Sequence, residues 1–226
     1  LWVHCASTKG GDAEAYRRVY LGGLRSLLKC FPGCPGIFVS STSVYSQKDG
    51  EEVDEISPAE PPRDTGRVLL ECEDHALEAG GGAVRLAGIY GPGRSVLLRK
   101  FLDGSARVEG DGARWINQIH RDDAARALLH LVETGRFKGG LFNIADNTPL
   151  RQIDLYSTLA RLLQKSVPPG APPDLNRKRG WTSKRVLNHK LRTTGWKPEF
   201  PGFFSALRPG LDGGASIAPG STGGDQ

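Results

Sequence analysis

The stretch Ile37-Phe38-Val39-Ser40-Ser41-Thr42-Ser43-Val44-Tyr45 begins as an apolar run and continues as a run of hydroxyl side chains. Residues 37–40 predict a fully buried strand, since they form a short apolar run next to turn signals. An amphipathic helix is predicted before it, over 13–30, and another after it, over 65–79. Strands that alternate with helices at this spacing indicate an α/β fold with a doubly wound parallel sheet, whose ligand site lies at the carboxyl ends of the strands.

The rest of the chain extends this alternation. We predict further strands over 1–5, 83–89 and 141–145 and further helices over 96–102, 124–133 and 150–163. Asp122 or Asp123 is the expected N-cap of the helix over 124–133, because an aspartate side chain accepts hydrogen bonds from free backbone N–H groups. A loop is expected over 46–64. Residues 206–226 are rich in Gly, Ser and Pro, which predicts a disordered tail.

The composition is that of a globular protein. Of the 226 residues, 38% are hydrophobic, and no apolar run approaches the roughly 18 residues that a membrane span needs. No stretch has the pattern of an export signal, so we expect a cytoplasmic protein without membrane contacts. The cysteines lack the spacing of a zinc site, and no metal site is predicted. They are expected as free, mostly buried thiols: Cys5, Cys30, Cys34 and Cys72.

Positive charge is concentrated towards the C-terminal end. The net charge is +5, and a basic cluster comprises Arg177, Lys178, Arg179, Lys184, Arg185, Lys190 and Arg192. Such a cluster is most often a solvated surface, although it can also attract the phosphates of a nucleotide or of nucleic acid. Nucleic acid is the least favoured of these hypotheses.

The stretch from Phe38 to Tyr45 resembles the strand-end motif of the extended short-chain dehydrogenases/reductases, which include the NAD-dependent epimerases and dehydratases. Further motifs follow in the order of that family: Gly88-Ile89-Tyr90-Gly91-Pro92-Gly93, Ile119-His120-Arg121-Asp122-Asp123-Ala124, Phe142-Asn143-Ile144 and Gly195-Trp196-Lys197-Pro198. Each motif is weak by itself, but together they are collinear from residue 1 to about 205. The resemblance implies a Rossmann-like fold and a dinucleotide cofactor, NAD or NADP.

The resemblance also implies roles for particular residues. Ser41 takes the place of the hydroxyl residue that hydrogen-bonds the reacting oxygen of the substrate. The implied cofactor-binding residues are Cys5, Ala6, Ser7, Ser40, Gly88 and Ile89. The implied substrate-binding residues are Arg94, Arg114 and His120. The implied partners are thus a dinucleotide and a small molecule of the nucleotide-sugar class.

The chain departs from the family at the residues that transfer protons. The family uses a tyrosine and a lysine four residues later, because a phenol with a pKa near 10 is a poor base without a cationic neighbour. The spacing from Ser41 places Thr65 at the tyrosine position and Leu69 at the lysine position, while Glu73 matches the family's helix glutamate. Val19 stands where many relatives have an asparagine. This pattern resembles the atypical branch of the superfamily, which lacks the Tyr/Lys pair.

Four other side chains are candidates for an acid or base. His4 and His120 could titrate near neutrality, and Tyr45 and Tyr90 carry a phenol. A structural role is favoured for each of the four. Arg85 is equally well explained as a phosphate ligand and as a structural arginine at a strand end.

The opening segment predicts an incomplete chain. The glycine-rich turn that seats a pyrophosphate is absent, and residues 1–5 resemble the fourth sheet strand of the family, so the first strands are expected to be missing. The predicted domains are a Rossmann-like cofactor-binding domain over 1–93, completed by the strand over 141–145, and a substrate lobe mainly over 94–205. A sheet without its first strands exposes an unpaired edge, which favours association, as in a homodimer.

Two hypotheses about function follow. The first is an oxidoreductase of the epimerase/dehydratase type, which acts on a nucleotide-sugar-like substrate in its full-length form. The second is a non-catalytic dinucleotide-binding sensor or scaffold, which Val19, Thr65 and Leu69 favour. The hypotheses differ in whether a bound cofactor is turned over.

Overall fold

A parallel four-stranded sheet lies at the centre of the computed structural model, which describes residues 1–8, 10–176, 180–210 and 214–220. The strands are β1 (Trp2–His4), β2 (Gly36–Ser41), β3 (Glu51–Val53), β4 (Gly82–Leu86), β5 (Gly88–Tyr90), β6 (Val108–Glu109), β7 (Trp115–Ile116), β8 (Gln118–His120), β9 (Leu141–Ile144), β10 (Leu150–Arg151), β11 (Gly170–Ala171), β12 (Lys184–Val186), β13 (Leu207–Pro209) and β14 (Ala215–Ile217). The helices are α1 (Ala13–Tyr16), α2 (Gly22–Cys30), α3 (Asp64–Glu78), α4 (Val96–Leu102), α5 (Arg121–Glu133), α6 (Gln152–Leu162), α7 (His189–Thr193) and α8 (Phe203–Ala206). A π-helical turn, Arg17–Leu21, joins α1 to α2, and a 3₁₀ turn, Thr42–Val44, follows β2.

The central sheet has the strand order β1-β2-β4-β9, and each neighbouring pair is parallel. Helix α3 packs on β2 and β4, α2 packs on β1, and α7 packs on β9. A first hydrophobic core lies between the sheet and its helices, and its fully buried members include Leu24, Phe38, Val68 and Leu131. The predicted α/β fold with a Rossmann-like parallel sheet is therefore confirmed.

A second hydrophobic core lies outside the central sheet. It is built largely by helices α4, α6 and α8, and it includes Tyr90, Phe101, Leu155, Leu159 and Phe203. Short two-stranded sheets surround it, namely the β6–β11, β7–β10 and β13–β14 pairs. The two cores are separate clusters of buried side chains.

The strand predicted over 83–89 is wrong in its extent. Strand β4 ends at Leu86, and the Gly88 amide donates a hydrogen bond to the Asn117 carbonyl, so the chain leaves the central sheet there and continues as β5. Strand β5 pairs in parallel with β8. The prediction of a loop over 46–64 also missed a strand. This segment contains β3, which pairs in parallel with β12.

Helix α5 begins at Arg121, earlier than predicted. Its N-cap is His120, whose Nδ1 accepts a hydrogen bond from the Asp122 amide at 3.2 Å, so the prediction of an aspartate cap is wrong. Asp123 instead accepts hydrogen bonds from the backbone amides of residues 199–200. This contact fixes the chain that follows α7 against the start of α5.

The disordered tail predicted over 206–226 is wrong for the part that the structure describes. Strands β13 and β14 form an antiparallel hairpin, and Leu207 and Ile217 are buried in the second core. Burial of these apolar side chains offsets the ordering entropy of a segment that is otherwise rich in glycine. Residues 211–213 and 221–226 lie outside the described residues.

The cysteines are free, but the expectation that they are mostly buried is wrong. Cys72 is buried, whereas Cys5 and Cys30 are exposed and Cys34 is half-buried.

Among the helices of the described ranges, none has the length and apolar character needed to cross a bilayer.

A buried ion pair joins helix α3 to the central sheet. Glu73 accepts hydrogen bonds from the Arg85 guanidinium on β4, the shortest at 2.7 Å, and one from the Ser40 hydroxyl on β2 at 2.5 Å. All three residues are buried, with exposed fractions between 2% and 5%. Burial acts to lower the pKa of Arg85, but the hydrogen bonds and charge of Glu73 outweigh it and raise that pKa. Arg85 therefore has a structural partner at the strand end.

We expect Glu73→Gln to destabilise the fold by about 3–5 kcal/mol, because it leaves the buried Arg85 charge without its partner. Urea unfolding measures the decrease in the free energy of unfolding. Glu71→Gln is the matched control, since Glu71 lies on the same helix in exposed ion pairs with Arg17 and Arg25 and should cost no more than about 1 kcal/mol. Equal losses in the two variants would contradict the assignment.

Candidate functional site

A cleft of about 350 Å³ opens at the carboxyl ends of β1, β2 and β4. Its lining comprises Cys5, Ala6, Ser7, Tyr16, Tyr20, Val39, Ser40, Ser41, Leu69, Leu86, Ala87, Gly88, Ile89, Arg94, Arg121, Ala124, Ala125 and Leu128. Open parallel sheets bind ligands at this edge, because the loops after adjacent strands diverge there. We call this cavity the sheet cleft.

The structure brings all the residues predicted to bind the cofactor together in the sheet cleft. Residues 5–7 follow β1, Ser40 lies near the end of β2, and residues 88–89 open β5. Ser41 and Arg94 line the same cavity. Segments that are far apart in the sequence therefore meet at one edge of the sheet.

Ser41 is positioned by the turn that follows its strand. It is the N-cap of the 3₁₀ turn, and its Oγ accepts a hydrogen bond from the Ser43 amide at 3.2 Å. The residue is half-buried. Since a hydroxyl that accepts one hydrogen bond can still donate its own proton, Ser41 can bind an oxygen atom in the cleft.

Thr65 and Leu69, the residues predicted to stand at the family's Tyr/Lys positions, lie one turn apart on α3 and line different cavities. Leu69 is buried and lines the sheet cleft with an apolar side chain. Thr65, one turn earlier on α3, lines a different depression together with residues 11–13 and Arg63. Neither residue can transfer a proton at neutral pH, because leucine has no titratable group and the threonine hydroxyl is essentially un-ionised.

The π-helical turn Arg17–Leu21 shapes the opposite wall of the sheet cleft. Tyr16 and Tyr20 line the cavity, and their ring centroids are 4.8 Å apart. The backbone of Val19, at the position expected for an asparagine, hydrogen-bonds His4. Burial lowers the pKa of His4, which favours a neutral, structural imidazole. A π-turn widens a helix locally and often occurs at a functional site.

Some cleft residues were missed in the sequence. Their spacing places Tyr16 and Tyr20 on one apolar helix face, but periodicity does not reveal the π-turn or that this face lines a cavity. Arg121 also lines the cleft, where its Nε contacts Asp122 Oδ1 at 3.0 Å. Its position directly after His120 in the matched motif was the available signal.

A second, polar cavity of about 200 Å³ adjoins the sheet cleft. Its lining comprises Ser41, Thr42, Ser43, Leu86, Ala87, Gly88, Arg114, Trp115, Ile116, Asn117, Gly180, Thr182 and Lys184. Ser41 and residues 86–88 also line the sheet cleft. We call this second cavity the lysine pocket. Arg114, predicted to bind substrate, lies in the lysine pocket, and Arg94 lies in the sheet cleft.

Lys184 is the most unusual residue of the lysine pocket. Its Nζ donates hydrogen bonds to the Tyr45 carbonyl and to Thr182 Oγ1, each at 2.9 Å, and the residue is only 4% exposed. Burial, together with the positive charge of Arg114, lowers the pKa of Lys184 to about 8. The sequence indicated only that Lys184 belongs to a basic cluster, since its burial depends on the β3–β12 pairing.

The basic cluster does not form a single exposed patch in the described part of the chain. Lys184 is buried, Arg185 pairs with Glu52 at 3.1 Å, and the Lys190 Nζ lies 4.9 Å from the centre of the Phe142 ring. Arg177, Lys178 and Arg179 lie outside the described residues.

His120, predicted to bind substrate, lies in the protein interior. It is fully buried, caps α5, and its Nε2 lies 3.0 Å from the Ala218 carbonyl. Tyr90 packs against it edge-on, and burial raises the pKa of the Tyr90 phenol. His120 does not face either cavity, so the structure gives it a packing role.

The Tyr45 phenol also has a structural environment. Its hydroxyl donates a hydrogen bond to the Asp54 carbonyl at 2.7 Å and lies 2.9 Å from Asn143 Oδ1, and burial raises the pKa of the phenol. The described residues contain no group of His, Cys, Asp and Glu side chains that could hold a metal ion.

Comparison with known proteins places these features in a wider group. No family model matches the chain. A solved Methylobacillus flagellatus structure, assigned to the NAD-dependent epimerases/dehydratases, is 30% identical with a TM-score of 0.69, over 85% of this chain and 70% of that chain. Protein YeeZ of Escherichia coli K12 is 39% identical over 132 residues, which are 56% of this chain and 45% of YeeZ. The match thus spans less than half the length of this curated relative.

The parallel sheet and the cleft at its carboxyl edge define a Rossmann-like α/β protein. With the match to the Methylobacillus structure, the chain belongs to the NAD-dependent epimerase/dehydratase family. The fold is shared with UDP-glucuronic acid 4-epimerase of Bacillus cereus, solved with UDP-glucuronic acid and NAD, which is 21% identical with a TM-score of 0.71 over 84% of this chain and 66% of that chain.

The lysine pocket predicts an unusual titration. With the ε-carbons of lysine labelled, the Lys184 signal should titrate near pH 8, whereas an exposed lysine titrates at about 10.4. The unfolded chain then binds more protons between these pH values, so the contribution of Lys184 to stability should rise with pH across this window.

Carbon-13 NMR measures the titration, and Lys184→Met identifies the signal by removing it. Lys190→Met, which alters an exposed lysine, should leave the signal unchanged. A Lys184 signal that titrates at about pH 10 would contradict its buried environment.

Proposed function

We propose that the protein is an NAD(P)-binding oxidoreductase of the epimerase/dehydratase type, from the atypical branch, and that its substrate is nucleotide-sugar-like. The observation that carries this proposal is the convergence of residues 5–7, 40–41 and 88–89 on the sheet cleft. These segments match the family's motifs and meet where an open α/β sheet binds its ligand.

The sheet cleft fits the nicotinamide end of a dinucleotide. Its volume of about 350 Å³ lies near the lower end of the range for small-molecule pockets, so it suits half of such a cofactor. Small side chains at Ala6, Ser7 and Gly88 leave the backbone accessible to a flat ring. No pyrophosphate-binding glycine turn occurs among the described residues that line it. When bound, the cofactor would exchange a hydride with the substrate.

Ser41 is the residue proposed to bind the reacting oxygen. Its Oγ is fixed by the Ser43 amide, and the hydroxyl proton can be donated to a carbonyl or hydroxyl of the substrate. A preorganised donor stabilises negative charge as it develops on that oxygen. Arg94, at the rim of the same cavity, is the proposed contact to the rest of the substrate.

The division of the chain is also proposed. Residues 1–93 with β9 form the cofactor domain, and 94–205 mainly form the substrate lobe. The second hydrophobic core, built largely by α4, α6 and α8, supports a separate substrate lobe, while α5 and Val186, Leu191 and Trp196 pack in the first core.

A non-catalytic dinucleotide sensor is the second candidate. The observation that favours it is the apolar Leu69 side chain in the sheet cleft, with Thr65 directed to a different depression. Without a Tyr/Lys pair, a bound cofactor could report redox state without turnover. The two candidates share the binding step and differ in the chemical step.

Dinucleotide binding is tested by filling the sheet cleft. Ala6→Trp should weaken NADH or NADPH binding at least about tenfold, since the indole would occupy the space of the ligand. NADH fluorescence titration measures the affinity. Ile56→Trp is the matched control, because Ile56 is 92% exposed and does not line the sheet cleft, and this variant should bind NADH as the unchanged chain does. Equal binding by both variants would contradict the assignment of the cleft.

Turnover separates the two candidates. An oxidoreductase should convert at least one substrate in a panel of nucleotide sugars, and Ser41→Ala should lower kcat by about 10²–10³, the cost of one lost donor to a developing oxyanion. Cofactor binding without turnover across the panel would favour the sensor. Conversion that is insensitive to Ser41→Ala would contradict the role of this hydroxyl.

A further inference from the structure

The lysine pocket places two cationic side chains next to the residue proposed to hold the reacting oxygen. Lys184 and Arg114 line this cavity together with the Ser41, Thr42 and Ser43 segment and with Thr182. Lys184 lies on β12 and Arg114 precedes β7, so the two cations come from distant parts of the chain. Neither belongs to the segments that form β1, β2 or β4.

The Lys184 ammonium has a donor to spare for a ligand. An ammonium carries three N–H donors, and the hydrogen bonds found within the described residues account for two of them, to the Tyr45 carbonyl and to Thr182 Oγ1. A charge at 4% exposure is costly unless its donors are satisfied. Because Lys184 also lines a cavity, the remaining donor is suited to a group that enters the cavity.

The charge around Lys184 favours a negatively charged ligand. Arg114 raises the local positive potential, while Glu51, which faces Lys184 across the β3–β12 pair, acts in the opposite direction. The Nε atom of Arg114 lies 3.6 Å from Oε2 of Glu109. An oxyanion in the cavity would interact with Lys184 by a charge-assisted hydrogen bond, the stronger kind.

We propose that the lysine pocket binds an oxyanionic group of the substrate, a carboxylate or a phosphate, through Lys184 with Arg114 alongside. The identification of this anion as part of the substrate rests on the proposed function, because Ser41 and residues 86–88 line both cavities. Binding of an anion by the pocket itself does not depend on a cofactor.

The test compares three ligands that share a sugar ring: glucuronate, glucose 1-phosphate and glucose. Calorimetry on the 226-residue chain should give a dissociation constant about 10- to 100-fold lower for at least one anionic sugar than for glucose, as expected for a charge-assisted hydrogen bond. Preference for glucuronate identifies a carboxylate site, and preference for glucose 1-phosphate identifies a phosphate site. No preference for either anion over glucose would overturn the proposal.

The matched variants are Lys184→Met and Lys190→Met, which remove the same charge from the lysine pocket and from an exposed position over Phe142. Lys184→Met should abolish the preference for the anionic sugar, and Lys190→Met should preserve it. A preference that survives Lys184→Met would overturn the proposal.

The pH profile of the unchanged chain gives a readout that does not require a variant to fold. Since the pKa of Lys184 is about 8, affinity for the anionic sugar should fall about tenfold per pH unit above that value, as the ammonium loses its proton. Glucose binding should not change over this range. Anion affinity that is constant from pH 7 to 10 would overturn the proposal.

NADH titration of the same samples separates this inference from the proposed function. If NADH binds and neither anionic sugar is preferred, the anion site fails and the dinucleotide site stands. If an anionic sugar is preferred and NADH does not bind, the anion site stands and the proposed function fails.

Discussion

The buried Glu73–Arg85 pair, together with the Ser40 hydroxyl, is the interaction on which the site depends. It connects α3 to β2 and β4 in one network with no residue more than 5% exposed. The same helix carries Leu69 into the sheet cleft, and the same strand end presents Ser41. Because two charges in the core are tolerated only when paired in good geometry, the network fixes the helix relative to the strand ends. The relative position of the cleft walls follows from it.

The sequence predicted what depends on local pattern. The alternation of apolar strands and amphipathic helices gave the parallel sheet, and the collinear motifs placed residues 5–7, 40–41 and 88–89 in the sheet cleft. Features that depend on distant contacts were missed or wrong. The change from β4 to β5 lies inside one apolar run, and the hairpin of β13 and β14 depends on packing against the second core. The structural role of His120 depends in the same way on its neighbours.

Lys184 shows that the same limit of sequence-based prediction applies to the candidate site. In the sequence it is one of several basic residues, and a basic cluster predicts a solvated face. The parallel pairing of β3 with β12 instead buries it beside Arg114, and burial lowers its pKa to about 8. Thr65 and Leu69 stand at the predicted Tyr/Lys positions, yet a buried amine with a lowered pKa lines the same cavity as Ser41. The chemistry open to this chain therefore depends on which groups line the two adjoining cavities.

Mapping where a dinucleotide binds tests the assignment of the sheet cleft most directly. Amide chemical shifts of the labelled 226-residue chain should change on addition of NADH, and the largest changes should fall at residues 5–7, 40–41 and 88–89, which line the sheet cleft. Residues of the second core, such as those around Leu155 and Leu159, should be unaffected. Binding without shift changes at the cleft, or changes centred on the second core, would contradict the account.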